Sequence, residues 1–276
     1  MIIAVLSGKG GTGKTTVSTG LAAVIKPSQY IDCDVEEPNG AIFLKPLMCD
    51  PIPVKVGIPA VDKALCNGCG DCAKVCQFNA IAVVKGNVLI FPEICHHCGA
   101  CYIACKQGVL YVDECIIGVI EKNERNTFVQ GKLNIGEPVA VPVIKQLKKH
   151  QRTDIPVILD CSPGASCTVV QSISDADYCI LVTEPTPFGL HDLEIAVGLA
   201  KKLRKPLGIV INKACKDNSL ITDFCNREGI EVLMEIPYSP EIAQTYSRGD
   251  LPILADKRLT ESFQSMFSRI KKRVKR

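Results

Sequence analysis

The sequence predicts an α/β fold, a doubly wound and mostly parallel sheet interrupted by a small α+β insert. Three observations predict it. Short apolar runs alternate with stretches of helical spacing along most of the chain. A glycine-rich turn at residues 8–13 separates the first apolar run from the first helix, and eight of the sixteen cysteines crowd into residues 66–105.

Taken in order, residues 2–6 are an apolar run too short for a helix and read as a buried strand, with a helix over 15–25. Residues 29–32 read as a second strand ending in acid. Residues 46–59 carry Pro46, Pro51, Pro53 and Pro59 without any period and read as a linker. After residue 111 the alternation resumes, with strands expected at 157–159, 178–182, 208–211 and 231–236 and a helix at 190–203. The chain therefore divides into the first part of a main domain (1–58), an insert (59–112) and the second part of the main domain (113–276).

At 47% hydrophobic and 22% charged, the 276-residue chain has ample core material. A net charge of +3 is too small to argue for a nucleic-acid partner, and none is expected. The glycine-rich turn stands so close to residue 1 that no signal peptide is expected, and no apolar run approaches the roughly 18 residues of a membrane span. A soluble, cytoplasmic protein is expected. In that reducing compartment clustered cysteines point to metal and not to disulfides.

Residues 8–16 read Gly8-Lys9-Gly10-Gly11-Thr12-Gly13-Lys14-Thr15-Thr16 and contain the spacing G-x-x-x-x-G-K-T. The glycines let successive backbone N–H groups turn inward into an anion nest. Lys14 is placed for the β- and γ-phosphates of ATP and the Thr15 hydroxyl for Mg²⁺, while the following helix adds the positive end of its dipole. A strand before and a helix after are the context this phosphate loop needs.

Lys9 sharpens the signal. K-G-G-x-G-K-T-T resembles the deviant Walker A motif of the MinD/ParA/nitrogenase iron protein family of P-loop ATPases. Asp32-Cys33-Asp34-Val35-Glu36-Glu37-Pro38-Asn39 resembles that family's switch I, which implies that Asp34 orients the attacking water. Leu159-Asp160-Cys161-Ser162-Pro163-Gly164 resembles its switch II, which implies that Asp160 is the acid beside Mg²⁺. Asn212-Lys213 and Ile236-Pro237-Tyr238 stand where the family holds adenine. The resemblance implies catalytic roles for Lys9, Lys14 and Asp34. It also implies an ATP-dependent homodimer, or a heterodimer with a paralogue, in which Lys9 reaches the phosphates of the other copy. On the residues alone, Asp34 and Asp160 also read as strand-end turn carboxylates, and Asn212 as a common turn residue.

In the insert, Cys66, Cys69, Cys72 and Cys76 repeat the spacing of Cys95, Cys98, Cys101 and Cys105: gaps of two, two and three residues. This is the spacing of bacterial two-cluster ferredoxins, in which the fourth cysteine of each run serves the other cluster. One 4Fe–4S cluster would take Cys66, Cys69, Cys72 and Cys105, the other Cys95, Cys98, Cys101 and Cys76. Zinc is the alternative, although it normally uses two separated pairs. The usual proline after the fourth cysteine is Gln77 in one run and Lys106 in the other, and His96 and His97 read as spacers able to tune or replace a ligand. With four lysines against three acids, the insert suits docking on a specific redox partner better than free diffusion.

Cys161 and Cys167 flank switch II, where a third, dimer-bridging cluster is conceivable; cysteine is also a common small buried residue. Cys215 and Cys225 lack the C-x-x-C spacing of the bridging site in cluster-scaffold ATPases. Phe263, Met266, Phe267, Ile270 and Val274 form an apolar stripe on a basic C-terminal helix, which reads as a peripheral membrane contact or as the last helix of the fold. The resemblance as a whole implies an ATP-gated electron-transfer protein with two 4Fe–4S clusters, ATP and Mg²⁺. The alternatives are an iron–sulfur assembly or carrier ATPase, and a MinD-like positioning ATPase with redox-sensing clusters.

Overall fold

Strand β1 (Ile2–Leu6) is apolar throughout, and both of its faces are covered. Ala4 and Leu6 face one core, Ile3 and Val5 the other. That places it mid-sheet, between β8 (Val157–Asp160) and β9 (Tyr178–Thr183), parallel to both. On one side the sheet continues from β9 through β10 (Leu207–Ala214) to β11 (Val232–Pro237). On the other it continues from β8 through β2 (Gln29–Asp32) to β7 (Phe128–Leu133). These strands all run parallel, as short apolar runs buried on both faces should. The α/β architecture with a large, mostly parallel sheet is therefore the fold. The computed structural model describes residues 1–274; Lys275 and Arg276 of the basic tail lie outside the described residues.

Helices α1 (Lys14–Val24) and α11 (Lys257–Val274) supply the core on one face. Helices α5 (Val141–Lys148), α6 (Cys167–Ile173), α7 (Pro187–Lys202) and α8 (Ser219–Glu228) supply the other. Short helices α2 (Gly40–Leu44), α9 (Pro240–Ser247) and α10 (Pro252–Ala255) lie at the connections.

The linker expected at 46–59 is corrected by the structure. Ile52–Val61 is a strand, β3, paired antiparallel with β6 (Leu110–Lys122) from end to end. Its prolines hide it from a period-based reading. They are tolerated because β3 is an edge strand, where a missing N–H on the open side costs no ladder bond. Only Gly118–Lys122 of β6 also pair with β7, so β3 and β6 run on past the sheet as a two-stranded arm. Pro59 and Val112, at the expected insert boundaries, face each other across that arm. Beyond it lie α3 (Asp71–Val75), the hairpin β4 (Ile81–Val84) and β5 (Asn87–Ile90), and α4 (Ala100–Ala104). This segment has a small core of its own, with Cys72, Ile81, Val88 and Cys101 at its centre.

The stripe on α11 is taken up by the core. Phe263, Met266 and Ile270 are buried, and the Phe263 ring packs over Gly20 of α1. The packed-helix reading of the tail holds, and its apolar face is not free for a bilayer. Among the described residues no helix is long and apolar enough to cross a membrane.

Candidate functional site

The carboxyl ends of β1, β2, β8, β10 and β11 converge on one cavity of about 440 Å³, at the position where ligands of open parallel sheets sit. The loop after β1 turns through Gly11 and Gly13, whose φ values of 79° and 91° favour glycine. A side chain at Gly13 would also collide with the Asn212 amide, and one at Gly8 with the backbone of Asp192 on α7. Asn212 Nδ2 donates to the Thr12 carbonyl at 2.8 Å, so β10 clamps this loop. Backbone N–H groups at the start of α1 then face the cavity, which suits an anion.

Acidic side chains fill the space behind. Asp32, fully buried at the end of β2, accepts from the backbone N–H groups of Asp34, Asn39 and Gly40 and so fixes the loop that carries Asp34. Burial, with Asp160 beside it, pushes the Asp32 carboxyl up to about 8. The Lys14 ammonium lies 3.4 Å from Asp34 Oδ2 and 3.5 Å from Asp160 Oδ1. Burial pulls its pKa down, but Asp160, Asp34 and Asp32 outweigh that and hold it above its ordinary value. Burial also raises the Asp34 carboxyl, against the pull of Lys14. Tyr30 donates to Asp160 Oδ2 at 2.9 Å, while buried Oδ1 has no hydrogen-bond partner among the described residues. A buried carboxylate oxygen paired only with the Lys14 ammonium, and the buried Thr15 hydroxyl at the start of α1, are oxygen donors of the kind that fits Mg²⁺.

The expected switch loops meet here. Ser162 Oγ donates to the Cys33 carbonyl at 3.3 Å, and Gly164 N donates to the Ser7 carbonyl at 2.8 Å. The loop after β8 is thereby tied both to the loop after β2 and to the phosphate loop.

In the insert, the eight clustered cysteines separate into two cavities. Cys66, Cys69, Cys72 and Cys105 line one; Cys76, Cys95, Cys98 and Cys101 line the other. Each set joins three cysteines of one run to the fourth of the other, because α3 and α4 pack together and carry each fourth cysteine across. Among the described residues, no three His, Cys, Asp or Glu side chains are gathered closely enough to hold a single metal ion. Four thiols spread around a cavity, with Cys69 and Cys98 exposed at the rims, are a donor set that fits a cluster.

Residues 3–253 match the family described as the CobQ/CobB/MinD/ParA nucleotide binding domain. The chain belongs to this family. An iron-sulfur cluster carrier protein of Methanocaldococcus jannaschii is 25% identical over 293 aligned residues, covering 99% of this chain and 84% of that one. Ferredoxin-1 of Rhodobacter capsulatus is 47% identical over 38 residues, 14% of this chain and 58% of its own. Among solved structures, the cell division ATPase MinD of Pyrococcus furiosus superposes with a TM-score of 0.56 at 16% identity, with 98% of each chain covered. That likeness is one of fold.

As in any nucleotide-binding domain of this kind, the phosphate loop, strand ends and base-side wall must come together. Of the expected residues, Gly10, Gly11, Gly13, Lys14, Thr15, Thr16, Asp34, Asn212 and Pro237 line the cavity. Gly8, Thr12 and Asp160 stand behind it, and Lys9 lies outside it with a half-buried side chain. The Asn212 side chain is engaged with the loop backbone, so the structure gives it a loop-holding role. The sequence reading misses Ser239, Ile242, Ala243 and Tyr246, all on or beside α9. A signal was available: Ser239 caps the helix, Pro240 is its first residue and Glu241 sits in its first turn. Cys161 is fully buried in the main core, its thiol pushed far up by that burial, which is a packing role.

Proposed function

We propose that this chain is an ATP-hydrolysing iron–sulfur protein that delivers a cluster to an acceptor, with two 4Fe–4S clusters housed in its insert. The observation that carries the reading is the union, in one chain, of a phosphate-loop cavity and two cavities each lined by four cysteines in the exchanged pattern. A relative named as an iron–sulfur cluster carrier, aligned over nearly the whole chain, supports carriage ahead of the electron transfer that the motifs alone put first. ATP-gated electron transfer is the second reading, favoured by the complete sets of four thiolates and by the ferredoxin match. The positioning reading loses its membrane handle, because the α11 stripe is buried.

Phosphate oxygens of ATP compete with Asp34 and Asp160 for the Lys14 ammonium. Drawing it away would leave Asp34 free to orient a water on the γ-phosphate; Asp160 and Thr15 would hold Mg²⁺, which would supply positive charge to the phosphates. Lys9, outside its own cavity, is assigned to the phosphates of a second copy in an ATP-dependent homodimer. The clusters supply one-electron chemistry or a preassembled unit for transfer. Their eight cysteines would also hold the insert together: among the described residues its buried side chains are Cys72, Ala80, Ile81, Val88, Cys95 and Cys101, little for a segment this short to fold unaided.

A short bonded route supports communication between the two halves. Leu133 N donates to the Val35 carbonyl at 2.8 Å, next to Asp34. Asn134 N and Nδ2 donate to the carbonyls of Ile117 and Ile116 at 2.8 and 2.9 Å, and Cys115 follows on the same strand, near Cys95. The deciding experiment loads the protein anaerobically, to about eight iron and eight sulfide per chain, and mixes it with an apo-acceptor, with and without ATP. Carriage requires ATP-dependent activation of the acceptor and matching loss of iron. Retention of all iron, with ATP-dependent reduction of a partner, puts electron transfer first. Zinc without sulfide overturns both.

A further inference from the structure

The two cysteine runs are built alike, but where the backbone turns through positive φ one has a glycine and the other a side chain at two places: Gly68 against His97, and Gly108 against Asn79. Gly68 precedes Cys69, and His97 precedes Cys98, both with positive φ, 68° and 53°. At 68 only glycine fits, since an added Cβ would run into the backbone of Gly86. At 97 an imidazole is held in a region that costs a non-glycine residue about 1 kcal/mol or more. Such strain persists only where the surroundings enforce it.

His97 lines the cavity of Cys76, Cys95, Cys98 and Cys101, and its backbone N–H faces the Cys95 sulfur. Both ring nitrogens are buried and, among the described residues, have no hydrogen-bond partner. His96 differs: its ring stacks on Phe78 with centroids 3.7 Å apart and 3° between planes. Among the described residues, no histidine lines the cavity of Cys66, Cys69, Cys72 and Cys105. A neutral imidazole always carries one N–H, and burying it unpaired costs about 1–3 kcal/mol. Two acceptors in this cavity could satisfy it: the Tyr102 hydroxyl, likewise buried without a partner among the described residues, and sulfur, which the four cysteines bring to the cavity.

We propose that the His97 ring N–H donates to a sulfur of the cluster held by Cys76, Cys95, Cys98 and Cys101. The bond makes this cluster easier to reduce than its neighbour. The proposal rests on the cluster reading above. Reduction adds one electron, and thus negative charge on the sulfurs, so a donor there favours the reduced form. The donor breaks the near-symmetry of the module: an electron resting in it settles on the His97 side, nearer Cys115 and the arm.

The test is an anaerobic redox titration of the wild type, His97→Gly and His97→Asn, with iron and sulfide assayed in each. His97→Gly copies residue 68 and relieves the strained φ, so the fold should be kept. Two midpoints are expected in the wild type. In His97→Gly the higher one should fall by roughly tenfold in reduction equilibrium, about 59 mV for one electron, with the lower one unmoved. His97→Asn, which tolerates positive φ and keeps an N–H, should recover part of the shift. Unchanged midpoints with full iron content would overturn the proposal. Loss of half the iron from His97→Gly would overturn it too, by making His97 a holder of the cluster and not a tuner. A wild type without sulfide would instead sink the cluster reading itself.

Discussion

Replacing Lys14 by alanine tests the electrostatics of the nucleotide cavity in a way that can be worked from distances. The ammonium stands 3.4 and 3.5 Å from Asp34 and Asp160, and its side chain is only 9% exposed. At an effective dielectric near 20, each contact is worth roughly 5 kcal/mol before desolvation. Breaking a buried pair by removing one partner typically costs about 3–5 kcal/mol. A stranded carboxyl can escape by taking up a proton. Raising its pKa from near 4 to pH 7 takes about three units of roughly 1.36 kcal/mol each, which caps the cost near 4 kcal/mol. The two routes agree. Lys14→Ala without ATP should therefore lose about 4 kcal/mol, an apparent midpoint roughly 8–16 °C lower for a chain of this size. The loss has a sign in pH. Burial already holds the Asp34 carboxyl above its ordinary value against the pull of Lys14, and removing Lys14 raises it further, so the penalty is full above the folded pKa and fades as pH falls toward 4. Thermal melts of wild type and variant at pH 7.5 and pH 5.0, followed by circular dichroism, read both effects. A variant as stable as the wild type at pH 7.5, or a gap that widens in acid, would refute this account of the carboxylate cluster.

Two further outcomes follow from the same geometry. Lys9→Ala should bind ATP nearly as well as wild type, since Lys9 lies outside its own cavity, yet should lose ATP-dependent dimerisation and most hydrolysis; light scattering and phosphate release check it, and a wild-type hydrolysis rate would contradict the assignment. Phe263→Ala removes a ring that is 1% exposed against α1 and should cost about 3–5 kcal/mol in a denaturant midpoint, whereas a helix waiting for a membrane would lose almost nothing.

The parallel half of the sheet was legible because its strands are buried on both faces and so read as unbroken apolar runs, as in residues 2–6 and 178–183. Strands β3, β6 and β7 were not. β3 is an exposed edge carrying Pro53 and Pro59, and β6 has Asp113, Glu114, Glu121 and Lys122 along its length, so neither shows a clean period. At the site, sequence-adjacent groups were readable: the phosphate loop and both cysteine runs declare themselves by spacing. Contacts made by folding were not. The clamp of Asn212 on Thr12 spans 200 residues, and the Tyr246 ring in the cavity wall stacks on Phe43, about two hundred residues earlier in the chain. The two orphaned nitrogens of His97 have no sequence signature at all.

If the nucleotide site and the cysteine module act as one device, each must alter binding at the other. Affinity for a non-hydrolysable ATP analogue should be measured on the cluster-loaded protein and on protein stripped of iron, alongside iron release with and without the analogue. Linkage requires the two effects to match, and a coupling of about 1–3 kcal/mol predicts a roughly 5- to 150-fold change in affinity. Asn134→Ala, which cuts the bonded step from β7 to Ile116 of the arm, should shrink it. Equal affinities in loaded and stripped protein, with iron release indifferent to the analogue, would mean that the insert is merely tethered and the account is wrong.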